Sequence, residues 1–290
     1  MSRRRRQCSR RLIFQIQRKL PANAVGLAAI MDAGTNTQQR ESIMTKQIAV
    51  VTGGIGGLGE AISIRLHDAG YTVVVTYSTG NPGVDAWLAR MMAEGRTFHA
   101  YAVDVADYDF CRRCLAQIEA EVGPVDILIN NAGITRDATF KKLDKVNWDA
   151  VMRTNLDSVF NMTKPVCDDM AERGWGRIIN ISSVIGSQGG FGQTNYAAAK
   201  AGMHGFTKSL ALEVAKRGVT VNTISPGYIA TQMVAAVPQE VLDTKILPQI
   251  PVGRLGQPEE VAALVLFLCS REAGYVTGAN IAINGGQHLQ

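Results

Sequence analysis

The sequence predicts an α/β fold: one doubly wound domain on a single seven-stranded parallel sheet, with helices on both faces. Three observations predict it. Apolar, β-branched runs of strand length recur at 47–52, 72–77, 97–103, 125–130, 176–182, 219–225 and 278–283. Helix-length amphipathic segments separate them, and this alternation lays strands side by side through right-handed crossovers. Runs such as Val73-Val74-Val75 are apolar on both faces, as a parallel strand covered by helices on two sides must be.

The elements follow in order. QIAVVT at 47–52 opens the sheet and runs into a glycine-rich turn, after which Glu60 to Ala69 reads as a helix. TVVVTY at 72–77, TFHAYAV at 97–103 and VDILIN at 125–130 supply the next three strands. GRIINIS at 176–182, VTVNTIS at 219–225 and GANIAI at 278–283 complete them, with no internal repeat and no low-complexity linker. Residues 44–290 are therefore expected to form one domain.

Composition narrows the class. Apolar residues make up 46% of the 290-residue chain, enough for a large core. No stretch reaches the roughly 18 uninterrupted apolar residues of a spanning helix, so no membrane partner is expected. Charge is uneven. Residues 1–43 hold eight Arg and one Lys against Asp32 and Glu41, a balance of +7, which leaves −2 for the rest of a +5 chain. The basic character belongs to the tail, and no nucleic-acid partner is inferred from it.

Residues 1–43 are read as a basic, disordered N-terminal extension. Leu12-Ile13-Phe14 is interrupted at once by Gln15, Gln17, Arg18 and Lys19, which argues against a secretory signal. An Arg-rich targeting peptide and an over-extended gene start remain as readings, and Met44 stands where the domain would begin. Five cysteines, Cys8, Cys111, Cys114, Cys167 and Cys269, are an odd, sparse set and fit reduced thiols and a cytoplasmic location. The Cys111-x-x-Cys114 pair lacks two further ligands at metal spacing, so it reads as an ordinary helical pair.

The first strand ends in Thr52-Gly53-Gly54-Ile55-Gly56-Gly57-Leu58-Gly59. Glycines let the backbone turn tightly and approach a pyrophosphate, which the N–H groups and positive dipole end of the next helix then meet. A tight β–α turn without a ligand is the alternative, but the position between first strand and first helix is what a dinucleotide site requires. Asn130-Asn131-Ala132-Gly133 follows the fourth strand. With Gly53, Gly57 and Gly59 in this spacing, the chain resembles the short-chain dehydrogenase/reductase family, which implies a Rossmann-type fold and a nicotinamide cofactor.

The resemblance carries cofactor contacts to Gly53, Ile55, Gly56, Gly57, Leu58 and Gly59 in the loop, and to Ser78 after the second strand. It carries them also to Asp104 and Val105 after the third and to Asn131, Ala132 and Gly133 after the fourth. Tyr196, Lys200, Pro226, Gly227, Ile229 and Thr231 complete the set. For Asp104 a helix N-cap is a second reading, compatible with the first. An acidic residue at the end of the second strand would select NAD by its ribose hydroxyls. Here that strand ends Thr76-Tyr77-Ser78-Thr79-Gly80, without a carboxylate, which favours NADP(H). The segment 77–86 also lacks the arginine expected to grip a 2′-phosphate.

Tyr196-Ala197-Ala198-Ala199-Lys200 places two side chains on one helix face. A free tyrosine has a pKa near 10, and a nearby ammonium favours the phenolate. A surface pair is the bland alternative. Ser182-Ser183 ends the fifth strand, 13 residues before Tyr196, and a loop of that length can return a hydroxyl to the phenol. The resemblance picks Ser183 and adds Asn155 from Arg153-Thr154-Asn155-Leu156 as holder of a water in a proton path. It implies that Ser183 hydrogen-bonds a substrate carbonyl, that Tyr196 protonates it, and that Lys200 lowers the tyrosine pKa and holds the nicotinamide ribose. A hydrolytic serine would need a partnered histidine, and His67, His99, His204 and His288 lie in no matching motif.

Residues 131–137, 174–178, 191–196 and 226–231 resemble most the acetoacetyl-CoA reductases of polyhydroxybutyrate synthesis. By that resemblance Asp137, Gln193 and Tyr228 are substrate contacts, Phe191 lines an acyl pocket and Lys142 meets the coenzyme A phosphates. Each has a plain loop or pocket-wall alternative. The segment from 230 to about 250, with Met233, Pro238, Pro248 and Pro251, reads as a substrate lid. Beta-ketoacyl-ACP reductases are the rival; they present arginines to an acidic carrier, and Leu212 stands where one is expected. A catalytically dead scaffold and a simple alcohol dehydrogenase are further alternatives. The family implies a homotetramer.

Overall fold

The computed structural model describes residues 46–231, 234 and 237–289. The basic extension at 1–43 and Met233 of the lid segment lie outside the described residues. Each of the seven β-branched runs forms a strand: β1 (Ile48–Val51), β2 (Thr72–Tyr77), β3 (His99–Ala102), β4 (Ile127–Asn130), β5 (Gly176–Ile181), β6 (Val219–Pro226) and β7 (Asn280–Ile283). They pair in parallel, in the order β3-β2-β1-β4-β5-β6-β7. The order reverses at β1, and the crevice above the carboxyl ends of β1 and β4 is where open α/β sheets bind ligands.

Helices connect the strands: α1 (Gly57–Asp68), α2 (Val84–Ala93), α3 (Tyr108–Glu121), α4 (Lys145–Met152), α5 (Ser158–Glu172), α6 (Val184–Gln188), α7 (Thr194–Val214) and α8 (Pro258–Cys269). Local chemistry sets several starts. Asp107 caps α3 by accepting from Phe110 N at 2.8 Å, and Asp144 caps α4 by accepting from Asn147 N at 2.7 Å. Gln257 and Glu260 form a capping box at α8, where Pro258 supplies a backbone already bent for a helix.

The period-2 side-chain alternation of the strands explains the two layers. Val50, Val74, Leu128, Ile178 and Val221 face one core with Ile118 of α3, Met162 of α5 and Val214 of α7. Their neighbours Val51, Val75, Ile129 and Ile179 face the other, as does Ile224 of β6, with Ile62 of α1, Met91 of α2 and Val265 of α8. Two dry faces explain why the strand runs are apolar throughout. Cys111 and Cys114 point into the first core, and burial pushes their thiols up to about 12 and about 11. No helix among the described residues is long and apolar enough to cross a membrane.

A polar ladder runs through this apolar sheet. Asn130 Nδ2 donates to Asn180 Oδ1 at 2.8 Å and to Thr163 Oγ1 at 3.1 Å. Asn180 Nδ2 donates to Thr207 Oγ1 at 2.8 Å, and Thr207 shares a hydrogen bond with Thr223 at 2.7 Å. All five side chains are buried. Because the partners are complete, the ladder avoids the ~1–3 kcal/mol cost of an unpaired buried group and pins α5 and α7 against β4, β5 and β6.

Candidate active site

The glycine-rich turn is tied to the β4 exit by one hydroxyl. Thr52 Oγ1 accepts from Asn131 N and Ala132 N, each at 2.9 Å. Asn131 Nδ2 answers by donating to Thr52 O at 2.8 Å and Gly53 O at 3.3 Å. Gly59 packs under the turn so tightly that a Cβ would stand 2.2 Å from Gly53 O. Gly56 and Gly57 are the reverse case: a Cβ on either would meet nothing within 4 Å. The loop is closed from below and open above, at the start of α1.

Two cavities of about 860 and 460 Å³ meet over this loop and share Gly53, Gly56, Gly57, Ala132, Gly133 and Ile134. Ile55, Ser78, Asp104 and Val105 line the larger; Leu58, Gly59, Asn131, Ser183, Tyr196, Lys200, Pro226, Gly227, Ile229 and Thr231 line the smaller. The cleft thus brings together all the residues expected at the cofactor. A dinucleotide fits the residues present. The first turn of α1 offers N–H groups without a side-chain cap. Thr76 Oγ1, buried on the wall of the larger cavity, has no protein partner.

Asp104 does not cap α3. Its Oδ1 accepts from Ala106 N at 3.0 Å within the loop, and Asp107 takes the cap. Asn161 Nδ2 donates to Val105 O at 2.9 Å and holds that loop over the cleft.

Ser183 and Ser182 separate by geometry. Ser182 is buried; its hydroxyl donates to Lys200 O at 2.8 Å and lies 3.0 Å from His204 Nε2. Ser183 accepts from Ile185 N at 3.2 Å at the head of α6 and hydrogen-bonds the Tyr196 side chain. The Ser182–His204 contact is no nucleophile–base pair, because the serine proton is already committed to a backbone carbonyl. Lys200 is buried, with Nζ donating to Ile181 O at 2.8 Å and lying 5.5 Å from the Tyr196 ring centroid.

Asn155 sits in a π-helical turn, Arg153–Asp157, between α4 and α5. A poor helix former in a helical segment has this reason: the extra residue in the turn aims its amide inward. Its Oδ1 accepts from Ile134 N and its Nδ2 donates to Ile134 O, both at 2.8 Å. It lies beside the cleft rather than on its wall. A Cβ on Gly133 would come within 3.2 Å of Asn155 Oδ1 and 3.6 Å of Lys200 Nζ, so glycine there keeps the lysine site open.

Burial pushes the Tyr196 phenol up to about 12, against the lowering effect of its Ser183 bond. Burial also drives Lys200 down to about 7, so the ammonium that would favour a phenolate is itself weakened. A stability prediction follows. The lysine pKa falls on folding from its ordinary 10.5, so the unfolded chain binds the extra proton and stability rises with pH between about 7 and 10.5. Lys200→Met is expected to be more stable than the natural protein by on the order of 2–4 kcal/mol at pH 6, after allowing for the lost Ile181 bond. The gap should close towards pH 10. Urea unfolding at both pH values measures it; a destabilised variant at pH 6 would reject the desolvated lysine.

Two of the expected substrate residues are joined directly. Asp137 Oδ2 accepts from Gln193 Nε2 at 2.9 Å beside the catalytic end, and burial raises the Asp137 pKa. Phe191 is 96% exposed and Lys142 is exposed. Tyr228 packs on Leu242, Ile246 and Ile250 and lines a separate cavity with Arg254 and Glu260. The helical turns Gln239–Val241, Leu242–Ile246 and Leu247–Gln249 carry that small cluster. Sequence reasoning missed Glu60, Trp87, Arg90 and Thr154 on the wall of the larger cavity. Position supplied a signal for three of them: Glu60 directly follows Gly59, and residues 83, 86, 87 and 90 share one face at α2.

Comparison with known proteins agrees with this geometry. The short chain dehydrogenase family model matches residues 47–242. An acetoacetyl-CoA reductase of Cupriavidus necator is 56% identical over 246 residues, which is 85% of this chain and 100% of that protein. A nodulation protein G of Azospirillum brasilense is 52% identical over 85% of this chain and 100% of its own. A 3-oxoacyl-(acyl-carrier-protein) reductase of Haemophilus influenzae is 44% identical over 85% of this chain and 100% of its own.

Proposed function

Because the chain belongs to the short chain dehydrogenase family, we propose that it reduces acetoacetyl-CoA to (R)-3-hydroxybutanoyl-CoA with NADPH, as a step of polyhydroxybutyrate synthesis. The observation that carries the chemistry is the shared wall of Ser183, Tyr196 and Lys200 at one end of the glycine-loop cleft. The relative of Cupriavidus necator, matched over its whole length at 56% identity, supports the substrate.

The residues act as follows. A reduced nicotinamide, when bound along the cleft, supplies the hydride. Ser183 donates to the 3-oxo oxygen and fixes it beside the phenol. Tyr196 gives its proton to that oxygen as negative charge builds there. A phenol held near 12 keeps its proton at neutral pH, which suits the reducing direction. Lys200, anchored on Ile181 O, orients the ribose and sustains the tyrosine, and Asn155 fixes the Ile134 backbone beside the lysine as part of the proton path. Gly53, Ile55, Gly56, Gly57, Leu58 and Gly59 hold the pyrophosphate; Ser78, Asp104 and Val105 hold the adenosine. Asn131, Ala132, Gly133, Pro226, Gly227, Ile229 and Thr231 enclose the nicotinamide end. Asp137, Gln193, Phe191, Tyr228 and Lys142 are assigned to the acyl-CoA.

The coenzyme A thioester is favoured over a carrier-protein thioester by one further observation. Leu212 on α7 is 85% exposed where a cation for an acidic carrier would stand. The exposed apolar side chain of Phe160 on α5 is consistent with a homotetramer in which that face is covered. The test follows NADPH oxidation with acetoacetyl-CoA and with acetoacetyl-carrier protein at equal concentration. The proposal expects kcat/KM at least ~10-fold higher for the CoA thioester, a difference of about 1.4 kcal/mol. A preference for the carrier protein would transfer the assignment to fatty-acid synthesis.

A further inference from the structure

We propose that Arg90 is the residue that selects NADPH over NADH, doing from α2 what the β2–α2 turn lacks the charge to do. The inference rests on reading the cleft as an NADP(H) site. That turn offers only neutral side chains to the larger cavity: Ser78, Thr79 and Asn81. Gly83, Ala86, Trp87 and Arg90 line the same wall from one face of α2. Gly83 and Ala86 carry little or no side chain, so Arg90 and Trp87 supply the polar side-chain atoms of this wall. Arg90 is the one cation among the cavity's lining residues.

The guanidinium is held on the wall by Glu60. Arg90 Nη2 donates to Glu60 Oε2 at 2.8 Å, and Trp87 Nε1 donates to the same oxygen at 2.8 Å. Arg90 Nη1 lies 3.6 Å from Glu94 Oε1, too long for a strong bond. The arginine side chain is still 47% exposed. A guanidinium has five N–H donors, so one carboxylate does not exhaust it. The remaining donors match the geometry of a phosphate, and not of a lone hydroxyl, which gains little from a fork of charged donors.

Glu60 decides between two outcomes at this spot. A carboxylate here resembles the acidic group that holds ribose hydroxyls. Its Oε2 is already shared by Trp87 and Arg90, so its role is to orient the arginine. Its charge also opposes a phosphate, which sets a ceiling on affinity. Glu60 and Arg90 therefore act in opposite directions on the same ligand group: the arginine attracts the 2′-phosphate and the glutamate moderates it.

The test measures binding without turnover. The probes are 2′,5′-ADP, which carries the 2′-phosphate, and 5′-AMP, which differs only in lacking it, titrated calorimetrically into the natural protein, Arg90→Gln and Glu60→Gln. The natural protein should bind 2′,5′-ADP more tightly than 5′-AMP. Arg90→Gln should weaken 2′,5′-ADP by about 10- to 100-fold and leave 5′-AMP within about twofold. Glu60→Gln should tighten 2′,5′-ADP by roughly three- to tenfold, because a like charge is gone. Unfolding midpoints confirm that each variant is folded, and Arg90→Lys, which keeps the charge without the fork, should restore part of the affinity. Preference for 2′,5′-ADP that survives Arg90→Gln overturns the role of Arg90 and leaves the NADP(H) reading standing. Equal or tighter binding of 5′-AMP by the natural protein overturns both.

Discussion

Tyr196→Phe is expected to lower kcat for acetoacetyl-CoA reduction by about 10²–10⁴-fold, the worth of a positioned general acid. The substitution removes one oxygen from a side chain that lies in the wall of the cleft, hydrogen-bonded to Ser183 and stacked over by the Lys200 ammonium at 5.5 Å from the ring centroid. The ring and its packing stay, so the fold and the affinity for NADP⁺ should change little. The loss should therefore fall on kcat and kcat/KM together, as it does when an interaction made in the transition state is removed. Steady-state kinetics with acetoacetyl-CoA, paired with calorimetric titration of NADP⁺, separate the two. If Tyr196→Phe retained more than a tenth of the natural kcat, the proton would have to come from elsewhere in the cleft, with Ser183 the next candidate. The pH response gives the same argument a second reading. A phenol held near 12 stays protonated throughout the neutral range, so reduction should show no loss from phenol ionisation below about pH 10.

Much of this was legible in the chain, and the reasons differ by element. The strands were, because a parallel strand buried on both faces must be apolar at every position, and β2 was read to the residue at Thr72–Tyr77. The ends of β3 and β7 were not: both runs start two residues earlier in sequence terms than in the ladder, since strand propensity continues where pairing has ended. The glycine loop was legible because close backbone approaches can be met only by glycine. The choice between Ser182 and Ser183 rested on resemblance alone, and the structure supplies a physical reason in the Lys200 carbonyl that takes the Ser182 proton. The π turn at Asn155 had a faint signal in its poor helix former, but whether a turn closes over four or five residues is decided by packing around it. Arg90 gave no direct signal in the sequence because a phosphate ligand is expected in the β2–α2 turn itself. Two helical turns of α2 bring a later residue back to the same wall. The burial of Tyr196 and Lys200 had no signal in the sequence, because spacing reports proximity and is silent on desolvation.

The glycine loop yields the second large effect, through a pair of alanine substitutions that should fail in different ways. Gly59 lies inside the first turn of α1, where helix propensity alone would favour alanine by about 1 kcal/mol. Its Cβ, however, would stand 2.2 Å from Gly53 O and 2.6 Å from Asn131 Nδ2, and neither can retreat. Gly53 is held in the turn, and Asn131 is bound to Thr52 O and to Gly53 O. Gly59→Ala is therefore expected to destabilise the protein by about 1–3 kcal/mol, the range of an overpacked core, and to lose NADP⁺ binding as the loop is pushed open. Gly56→Ala is the contrast. Gly56 has φ −155°, an extended backbone open to any residue, and its Cβ would meet no protein atom within 4 Å. Stability should move by no more than about 0.5 kcal/mol, as for a free surface position. Yet the new methyl group would occupy the open side of the loop, where the pyrophosphate is proposed to lie against the α1 N-terminus. NADP⁺ affinity should fall by roughly 10²-fold, the cost of losing one or two charge-assisted hydrogen bonds. Thermal melts and NADP⁺ titrations on the two variants give four numbers. Should Gly56→Ala bind NADP⁺ as tightly as the natural protein, the phosphates would have to lie elsewhere, however well the loop is built.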